Sequence, residues 1–381
     1  MAFTAENGAV KSIVHVVNRY PPALGGMEKV VQAFARAYHQ RGVDVTVLTS
    51  DDGYGELPSE DEPFPVIRLR SRTVAHTQIM PGLFPHLLRL DRNAVLHLHV
   101  AAAYTPELVW LYSLLRKHRY VASVYLDVPP SGWTGRLLLA PYKRLLVQRV
   151  LRGAEAVSVP TDDYRELISA KYGIPLSKVI SIPCGTEHRI AQQPKTLDPA
   201  RTDKKLLFVG RLAVQKNVPL LFQALSVYVR KYGNDVRLAL AGDGELRNDL
   251  EQEVDRLGLR DIVTFRGALH GDVLEAAYEE SDLFILTSTH ESFGLVFIEA
   301  MTKGLPIVTV DIPAVRNVVE NGENGILVER DPEALADAIH VLLHDAELYG
   351  QMSRNNLAQA PSYDWDVVAK RFMEVYARAS G

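Results

Sequence analysis

The sequence is poor in features that would place it in several large classes of protein. Cys184 is the only cysteine among 381 residues, so no disulfide can form within the chain and a reducing compartment is favoured. No apolar run approaches the roughly 20 residues that a membrane-spanning helix needs. The net charge is only −4, which gives no general reason to expect nucleic acid as a partner. We therefore expect neither a disulfide-rich domain, nor an integral membrane protein, nor a nucleic-acid-binding protein.

Signals for targeting and for repeats are missing as well. Residues 1–11 lack the apolar core of a signal peptide. No repeat of about 20–50 residues is apparent, and no tract is of low complexity. We expect a protein that works in the cytoplasm or on a membrane surface facing it.

Short apolar runs alternate with amphipathic stretches along most of the chain. Strands separated by helices indicate a parallel, doubly wound α/β sheet. The alternation breaks at residues 188–203, which are polar and aperiodic and are predicted to form a linker. The chain is too long for one ordinary core, so we predict two doubly wound halves. The predicted strands are residues 12–17, 44–49, 95–100, 121–125, 156–159, 206–209, 236–241, 262–265, 283–286 and 307–310.

Glycines follow two of these predicted strands. In open α/β sheets, ligands bind at the carboxyl ends of the strands. Gly25 and Gly26 stand where a helix is predicted to start, so backbone N–H groups and the helix dipole could meet an anion there. Gly242 follows a strand in the sequence Ala-Gly-Asp-Gly, which is weaker evidence. A plain tight turn is the alternative at both places, and it is the favoured interpretation for Gly242.

A strand-to-helix loop with two basic residues provides a second signal. Arg211 and Lys216 lie five apart in Gly-Arg-Leu-Ala-Val-Gln-Lys. The planar fork of the arginine and the point charge of the lysine could converge on one diphosphate. A solvated basic loop is the alternative.

The most specific signal is a pair of carboxylates, Glu291 and Glu299, eight residues apart. One is predicted in a loop and the other within the helix that follows. Glu299 has apolar neighbours on that helix, so a merely solvated acid explains it poorly. Carboxylates commonly bind the vicinal hydroxyls of a ribose or a sugar.

Together these motifs resemble family 4 of the retaining glycosyltransferases, which includes bacterial glycogen synthases and phosphatidylinositol mannosyltransferases. The resemblance implies the GT-B fold, in which two Rossmann-like, doubly wound lobes flank a central cleft. It extends over nearly the whole chain, and the patterns Glu-x7-Glu and Gly-Arg-Leu-x3-Lys are its most specific parts. The matching segments are residues 20–28, 97–99, 182–185, 210–216, 242–244 and 291–299.

The resemblance assigns roles to residues of this chain. Arg211 and Lys216 would grip the donor diphosphate, Glu299 the ribose and Glu291 the transferred sugar. The base would stack near residues 266–269. Further donor contacts are implied for Gly25, Gly26, Gly242, Arg266, Leu269, Phe293, Gly294 and Leu295, with the backbone of Phe293 and Gly294 facing the sugar and phosphates.

It also implies a division of labour and a reaction. Residues 1–195, with a returning C-terminal helix at about 361–381, would bind the acceptor, and residues 196–360 would bind the donor. The donor would be a nucleotide-sugar, with UDP favoured over GDP or ADP, and the acceptor a small molecule, a glycan or a lipid-linked glycan. Transfer would retain the anomeric configuration by front-side attack, without a metal or another cofactor.

One position departs from the family pattern. Tyr125 stands where the family commonly has a histidine near the reacting sugar, whereas Asp127 is retained as a candidate catalytic residue. A tyrosine can still form a hydrogen bond, but its ordinary pKa near 10 makes it a poorer proton shuttle at neutral pH. The family role of the histidine is therefore not assigned to Tyr125.

Three other hypotheses remain open. The same scaffold could carry a sugar-nucleotide epimerase or a glycan phosphorylase. It could also form a non-catalytic, nucleotide-sugar-binding subunit, which the departure at Tyr125 would permit. A nicotinamide-dependent dehydrogenase is disfavoured, because the first strand lacks Gly-x-Gly-x-x-Gly.

Two further features are ambiguous. His97 and His99 share one face of a strand, but a metal site would need another ligand that the sequence does not suggest, so packing or substrate contact is favoured. Residues 136–152 have five basic residues and no acidic one, interleaved with leucine and valine. Such a segment could lie on anionic lipid, or pack its apolar face on the core, which is the favoured interpretation.

Overall fold

The computed structural model describes residues 10–23, 26–52, 61–74, 77–125, 141–291 and 293–380. The chain divides into two compact units, of which the first is Met1–Gly185 with Trp365–Gly381 and the second is Thr186–Asp364. The chain passes from the first unit to the second after Gly185, which is before the predicted boundary at 195/196. It returns to the first unit after Asp364, which is beyond the predicted boundary at 360/361. Each unit is built on its own parallel sheet.

The first boundary lies earlier than predicted because hydrogen bonds join the predicted linker to the rest of the second unit. The Thr186 N–H donates to the carbonyl of Tyr363 (2.9 Å) and the Ala191 N–H to that of Thr302 (2.7 Å). The Lys195 ammonium donates to the carbonyl of Glu279 (2.6 Å). Residues 188–203 have no helix or strand, as predicted for a linker, but they belong to the second unit. An extended segment held by hydrogen bonds has no helical or strand period to reveal it.

The sheet of the first unit has seven parallel strands in the order β3-β2-β1-β6-β7-β8-β9. The sequence did not predict β3 and β9, which are short edge strands, nor the small antiparallel pair β4–β5. The side chains of β4 are all exposed, so no apolar run marks that strand. The strands are β1 (Ser12–Val16), β2 (Asp44–Ser50), β3 (Val66–Leu69), β4 (Arg72–Val74), β5 (Thr77–Ile79), β6 (Val95–Val100), β7 (Tyr120–Val124), β8 (Ala156–Val159) and β9 (Val179–Ser181).

Helices connect these strands, as a parallel sheet requires. The apolar positions of the first helix recur at helical spacing, and its buried residues include Val30, Val31, Phe34 and Tyr38. The fourth helix continues directly from a π-helical turn, Lys143–Val147. The helices are α1 (Gly26–His39), α2 (Leu83–Leu87), α3 (Thr105–Arg116), α4 (Gln148–Gly153) and α5 (Asp162–Tyr172).

The sheet of the second unit has six parallel strands in the order β12-β11-β10-β13-β14-β15. Every residue of β13 and β14 is buried, as expected for central strands covered on both faces. All ten strands predicted from the sequence form, each within two residues of the predicted ends. The strands are β10 (Lys204–Val209), β11 (Val236–Ala241), β12 (Val263–Gly267), β13 (Leu283–Leu286), β14 (Ile307–Val310) and β15 (Gly325–Val328).

The helices of the second unit begin and end at residues suited to those positions. The Asp331 carboxylate accepts from the Ala334 N–H (2.8 Å), and Pro332 follows it at the first helical position. The helices are α6 (Val218–Tyr232), α7 (Arg247–Arg256), α8 (Gly271–Glu279), α9 (Leu295–Thr302), α10 (Pro332–His344) and α11 (Ala346–Gln359).

The last helix, α12 (Trp365–Ser380), belongs to the first unit. Its aromatic side chains pack against α1, with the ring centroid of Phe34 4.8 Å from that of Trp365 and 4.7 Å from that of Phe372. None of the helices that the structure describes combines the length and the apolar character needed to cross a bilayer.

The carboxyl ends of β10 and β11 approach each other closely at Gly242. Its N–H donates to the carbonyl of Gly267 (2.7 Å), and a Cβ at this position would overlap the carbonyl oxygen of Gly210. Gly242 therefore allows two strand ends to meet.

We predict that Gly242→Ala destabilises the protein by at least about 2 kcal/mol, because the added methyl group meets backbone rather than a movable side chain. Urea unfolding followed by circular dichroism measures the change. Gly350→Ala is the matched control. Gly350 lies in α11, and its Cβ would meet only the Arg354 guanidinium at 3.3 Å. This control is expected to be neutral, or stabilising by up to about 1 kcal/mol. Equal unfolding midpoints for Gly242→Ala and the wild type would contradict the prediction.

Candidate functional site

Lys216 and Glu291 meet at the carboxyl ends of β10 and β13. These neighbouring strands mark the point where the strand order of the second sheet reverses, which is where α/β sheets bind ligands. The Lys216 ammonium donates to Glu291 Oε1 at 2.6 Å, and the Ser288 hydroxyl donates to the same oxygen at 2.7 Å. Both charged side chains are largely enclosed, with exposures of 15 % and 9 %. A cation and a carboxylate predicted to serve different parts of one ligand are thus direct neighbours.

Hydrogen bonds between the two loops hold this pair in place. The Thr287 hydroxyl donates to the carbonyls of Lys216 and Asn217, each at 3.1 Å. The Thr289 N–H donates to the carbonyl of Gln215 (2.8 Å). Because these hydrogen bonds join the loop after β13 to the loop after β10, the backbone positions of Lys216 and Glu291 are fixed relative to each other.

Arg211 does not share this environment. Its guanidinium is 71 % exposed and pairs with Glu245 at 3.1 Å. The predicted convergence of Arg211 and Lys216 on one diphosphate is therefore not preformed and stays a prediction. An exposed arginine in a single surface ion pair can reorient at little cost.

The N-terminus of α9 lies directly after this loop. Gly294 has φ of +76° at the N-cap of α9, a left-handed conformation that favours glycine. The first N–H groups of a helix have no partner within it, so they are available to an anion. The Phe293 side chain is buried and packs edge-on against Tyr363, with ring centroids 6.3 Å apart. Only the backbone of Phe293 can therefore face a ligand, whereas Leu295 is half-buried.

The residues predicted near the base follow β11 and β12. The Gly242 N–H donates to the carbonyl of Gly267, and the predicted donor contact of Gly242 stays a prediction. Arg266 is exposed and Leu269 is half-buried. Their predicted role toward the base stays a prediction.

Glu299 sits in a network that the sequence did not reveal. The Tyr278 hydroxyl donates to Glu299 Oε2 at 2.6 Å, and His188 Nε2 lies 3.5 Å from Glu299 Oε1. His188 comes from the predicted linker and Tyr278 from α8, so no local spacing connects them with Glu299. The only available signal was the unexplained apolar surroundings of this acid.

The glycine motif of the first unit is described in part. Gly26 begins α1 and is exposed, whereas Gly25 lies outside the described residues. Asp127 also lies outside them. In the first turn of α1, burial raises the pKa of the Glu28 carboxyl. The predicted donor contacts of Gly25 and Gly26 stay predictions.

His97 and His99 have a third histidine beside them, contrary to the sequence analysis. In the β1–β6 register His15 lies opposite His97, and ligand atoms of the three buried rings lie within 4.8 Å of one another. The polar neighbours of His97 and His99 favour hydrogen bonding over metal binding at these two rings, whereas His15 Nε2 has no hydrogen-bond partner among the described residues. His97 Nδ1 lies 2.6 Å from the Tyr376 hydroxyl and its Nε2 2.6 Å from the Ser123 hydroxyl. His99 Nε2 lies 3.0 Å from His15 Nδ1.

Burial keeps these histidines neutral. It lowers the pKa of His15 to about 3 and the pKa values of His97 and His99 well below the usual range. Tyr125 extends the network, with its hydroxyl 3.0 Å from His99 Nδ1, and burial raises the pKa of Tyr125. Tyr125 therefore stays protonated at neutral pH and serves as a hydrogen-bonding group.

The described part of the basic segment packs apolar side chains on the core, and its contact with lipid stays a prediction. Val147, Val150 and Leu151 are buried in the core of the first unit, whereas Leu145 is 53 % exposed. Arg149 donates to the carbonyl of Leu145 (2.8 Å), so this arginine is not merely solvated. Arg136 lies outside the described residues.

Comparison with known proteins places both units in one group. The family described as Glycosyl transferase 4-like domain matches residues 25–185, and the family described as Glycosyl transferases group 1 matches residues 190–359. The GDP-mannose:cellobiosyl-diphosphopolyprenol alpha-mannosyltransferase of Komagataeibacter xylinus is 27 % identical over 97 % of this chain and 93 % of its own. The alpha-D-kanosaminyltransferase of Streptomyces kanamyceticus is 31 % identical over 70 % of this chain and 72 % of its own.

Solved structures agree on the fold. Anabaena Alr3699/HepE in complex with UDP and glucose superposes with a TM-score of 0.75 at 19 % identity, covering 96 % of this chain and 99 % of that one. Sucrose-phosphate synthase from Thermosynechococcus elongatus gives a TM-score of 0.73 at 21 % identity, with coverages of 96 % and 98 %. With two Rossmann-like parallel sheets and family matches in both units, the chain belongs to the GT4-type glycosyltransferases of the GT-B fold.

Proposed function

We propose that this glycosyltransferase moves a sugar from a nucleoside-diphosphate donor to an acceptor hydroxyl with retention of the anomeric configuration. The observation that carries the proposal is the Lys216–Glu291 pair beside the N-terminus of α9. In a donor, the sugar and the diphosphate are joined through the anomeric carbon. A carboxylate for the sugar hydroxyls and a cation for the phosphate must therefore be neighbours, as these two side chains are (2.6 Å).

In the proposed reaction the acceptor oxygen attacks the anomeric carbon from the face that the leaving group departs from. The bond between that carbon and the β-phosphate oxygen breaks, and the acceptor proton passes to the departing phosphate. Negative charge grows on the phosphate as it leaves. Lys216, Arg211 and the free N–H groups of α9 are the groups proposed to stabilise that charge. Asp127 stays in the proposal as a candidate catalytic residue on the strength of the family resemblance alone.

The proposed mechanism needs no metal ion. Divalent cations commonly neutralise a leaving diphosphate, but two protein cations and a helix N-terminus are proposed to do so here. The second unit would then bind the donor, and the first unit, with α12, would bind the acceptor.

The nucleotide of the donor is proposed to be UDP or GDP. The family resemblance favours UDP, and the Anabaena structure contains UDP and glucose. The Komagataeibacter relative, in contrast, is named for GDP-mannose. Arg266 and Leu269 are the residues proposed to contact the base, so the choice between UDP and GDP would be made at the end of β12.

We further propose that the acceptor is lipid-linked and reached at an anionic membrane surface. Leu111, Leu114 and Leu115 lie on one face of α3 and are 41 %, 57 % and 63 % exposed. The neighbouring segment, residues 141–153, adds the exposed Leu145 and basic side chains that include Arg144 and Arg149. Exposed leucines beside cations suit a bilayer with anionic headgroups. The name of the Komagataeibacter relative specifies a diphosphopolyprenol-linked acceptor.

The proposed reaction is tested by incubating the protein with a panel of UDP- and GDP-sugars, with simple and polyprenol-linked glycans as acceptors, in excess EDTA. We expect one donor to give a product whose mass increases by one sugar and whose NMR coupling constants show the donor's anomeric configuration. Inversion would contradict retention, and loss of activity restored by Mg²⁺ would contradict the metal-free mechanism. An epimer or a sugar 1-phosphate as the product would indicate an epimerase or a phosphorylase.

The charge assignments are tested by single substitutions. We expect Arg211→Ala or Lys216→Ala to lower kcat by about 10²-fold, roughly 3 kcal/mol, because each removes a charge that acts mainly in the transition state. Glu291→Ala should lower kcat, because it removes the carboxylate proposed to contact the sugar. It should not weaken binding of the bare nucleoside diphosphate, because the Lys216 ammonium stays available to the phosphates. Arg256→Ala and Lys231→Ala, which break surface ion pairs with Glu253 and Asp337, are the matched controls. Wild-type kcat in both the Arg211 and Lys216 variants would refute the phosphate assignment.

The membrane proposal is tested by co-sedimentation with anionic and with neutral liposomes at low and high salt. We expect binding to anionic vesicles at low salt that weakens as salt screens the basic residues. The double variant Leu114→Ser and Leu115→Ser should lose that binding while keeping activity on a water-soluble acceptor analogue. Absence of wild-type binding at low salt would overturn this proposal without affecting the donor chemistry.

A further inference from the structure

The Glu299 carboxylate is held by a different donor at each of its two oxygens. The Tyr278 hydroxyl donates to Oε2 at 2.6 Å, and His188 Nε2 lies 3.5 Å from Oε1. The Glu299 side chain is 14 % exposed, so little water competes for these positions. Its two oxygens thus have defined directions before any ligand arrives.

Tyr278 is built into the core of the second unit. It lies on α8, is fully buried, and its ring centroid is 5.9 Å from that of Phe284. Burial, followed by the charge of Glu299 and the hydrogen bond to it, raises the pKa of the Tyr278 phenol. The phenol therefore keeps its proton and can only donate to Glu299, which as a carboxylate can only accept.

His188 stands between two carboxylates. Its Nδ1 lies 2.6 Å from Glu275 Oε1, and its Nε2 faces Glu299. A neutral imidazole has a single N–H and would turn a lone pair toward one of these acids, whereas an imidazolium donates to both. The position of His188 between two carboxylates therefore favours its charged form.

A buried lysine completes the arrangement on the far side of Glu275. Lys303 is 2 % exposed; it pairs with Glu275, and it pairs with Glu279 at 2.9 Å. Positive and negative groups thus alternate from Lys303 through Glu275 and His188 to Glu299. Buried charges are tolerated when each has an opposite partner, and this alternation provides one at every step.

We propose that Tyr278 and His188 are positioning residues that orient the Glu299 carboxylate toward the ribose hydroxyls of the donor nucleotide, and that the charge on His188 makes this recognition pH-dependent. The inference rests on the proposed function, in which Glu299 binds the ribose. Each carboxylate oxygen has a second acceptor site, so it can accept a ribose hydroxyl while still held by Tyr278 or His188. The two residues remove the cost of ordering Glu299 when the nucleotide binds.

The direction of the pH effect follows from the groups that face His188. Burial alone would lower the pKa of His188, and Lys303 acts in the same direction, but the hydrogen bond to Glu299 and the charges of Glu299 and Glu275 outweigh them and raise it. The neighbouring Tyr278 stays neutral. The imidazolium therefore persists to a higher pH than that of an ordinary histidine, and it is lost as the pH rises through the raised pKa. Ribose recognition should weaken in that same interval.

The experiment compares the affinity for a ribonucleoside diphosphate with that for its 2′,3′-dideoxy counterpart, using UDP or GDP, whichever binds more tightly. The ratio of the two dissociation constants isolates the ribose, because phosphate titration and base contacts cancel. It is measured by calorimetry from about pH 6 to about pH 9 for the wild type, Tyr278→Phe, His188→Gln and Glu299→Gln. Tyr232→Phe and His344→Gln are the matched controls, since each loses a contact with a carboxylate elsewhere in the same unit, Asp337 and Asp235 respectively.

We expect Tyr278→Phe to reduce the wild-type ribose preference by about tenfold, equivalent to roughly 1.4 kcal/mol, and the controls to leave it unchanged. The wild-type preference should fall as the pH rises, and His188→Gln should have a lower preference that is flat with pH. Turnover should show a raised KM for the donor with kcat at saturation within about twofold of the wild type, a split that general destabilisation would not produce. Thermal unfolding verifies that each variant is folded.

The outcomes separate the inference from the function on which it rests. A wild-type preference that Glu299→Gln abolishes but Tyr278→Phe and His188→Gln retain would overturn only the positioning role. A wild type without ribose preference, or Glu299→Gln indistinguishable from it, would overturn the ribose assignment and the inference together. A pH profile that His188→Gln does not flatten would overturn the pH dependence.

Discussion

The candidate donor site depends on the position of β10 between β11 and β13 in a parallel sheet. Parallel strands end at the same edge, so the loops that follow these three strands are forced together although they are far apart in the chain. The loop after β10 contains Arg211 and Lys216, and the loop after β13 contains Glu291. On the other side, the end of β11 comes so close to β10 that only a glycine fits at position 242. A sheet with another strand order would separate Lys216 from Glu291.

Two clusters of buried polar side chains, one in each unit, differ in charge. In the second unit, buried or half-buried charges alternate in sign, as in Lys216 with Glu291 and in the series from Lys303 to Glu299. In the first unit, burial leaves the three clustered histidines uncharged. Serine and tyrosine hydroxyls lie within hydrogen-bond distance of His97 and His99, and His15 Nδ1 lies 3.0 Å from His99 Nε2. Charged pairs can exchange partners when an anionic ligand arrives, whereas a neutral network mainly specifies packing. This difference fits the proposal that the nucleotide binds to the second unit.

Membership in the GT4-type glycosyltransferases explains the site residues more fully than it explains the substrates. The relatives include proteins named for GDP-mannose and for kanosamine, so neither the base nor the sugar follows from the family. The proposal assigns the diphosphate and the ribose of the donor to Arg211, Lys216 and Glu299. Under the same proposal, Arg266 and Leu269 would contact the base of the donor.

The sequence by itself determined the elements and the motifs of this protein. Apolar runs placed all ten predicted strands, because a buried parallel strand needs consecutive apolar residues, and the spacing of Glu291 and Glu299 indicated the family. Short edge strands such as β3 and β9 were not predicted, because their half-exposed side chains do not form a run of apolar residues. Only the tertiary structure decided which side chains meet. His15 reaches His97 and His99 through strand pairing, and His188 and Tyr278 reach Glu299 across 111 and 21 residues of chain. Contacts at such separations follow from strand order and helix packing, which local spacing does not encode.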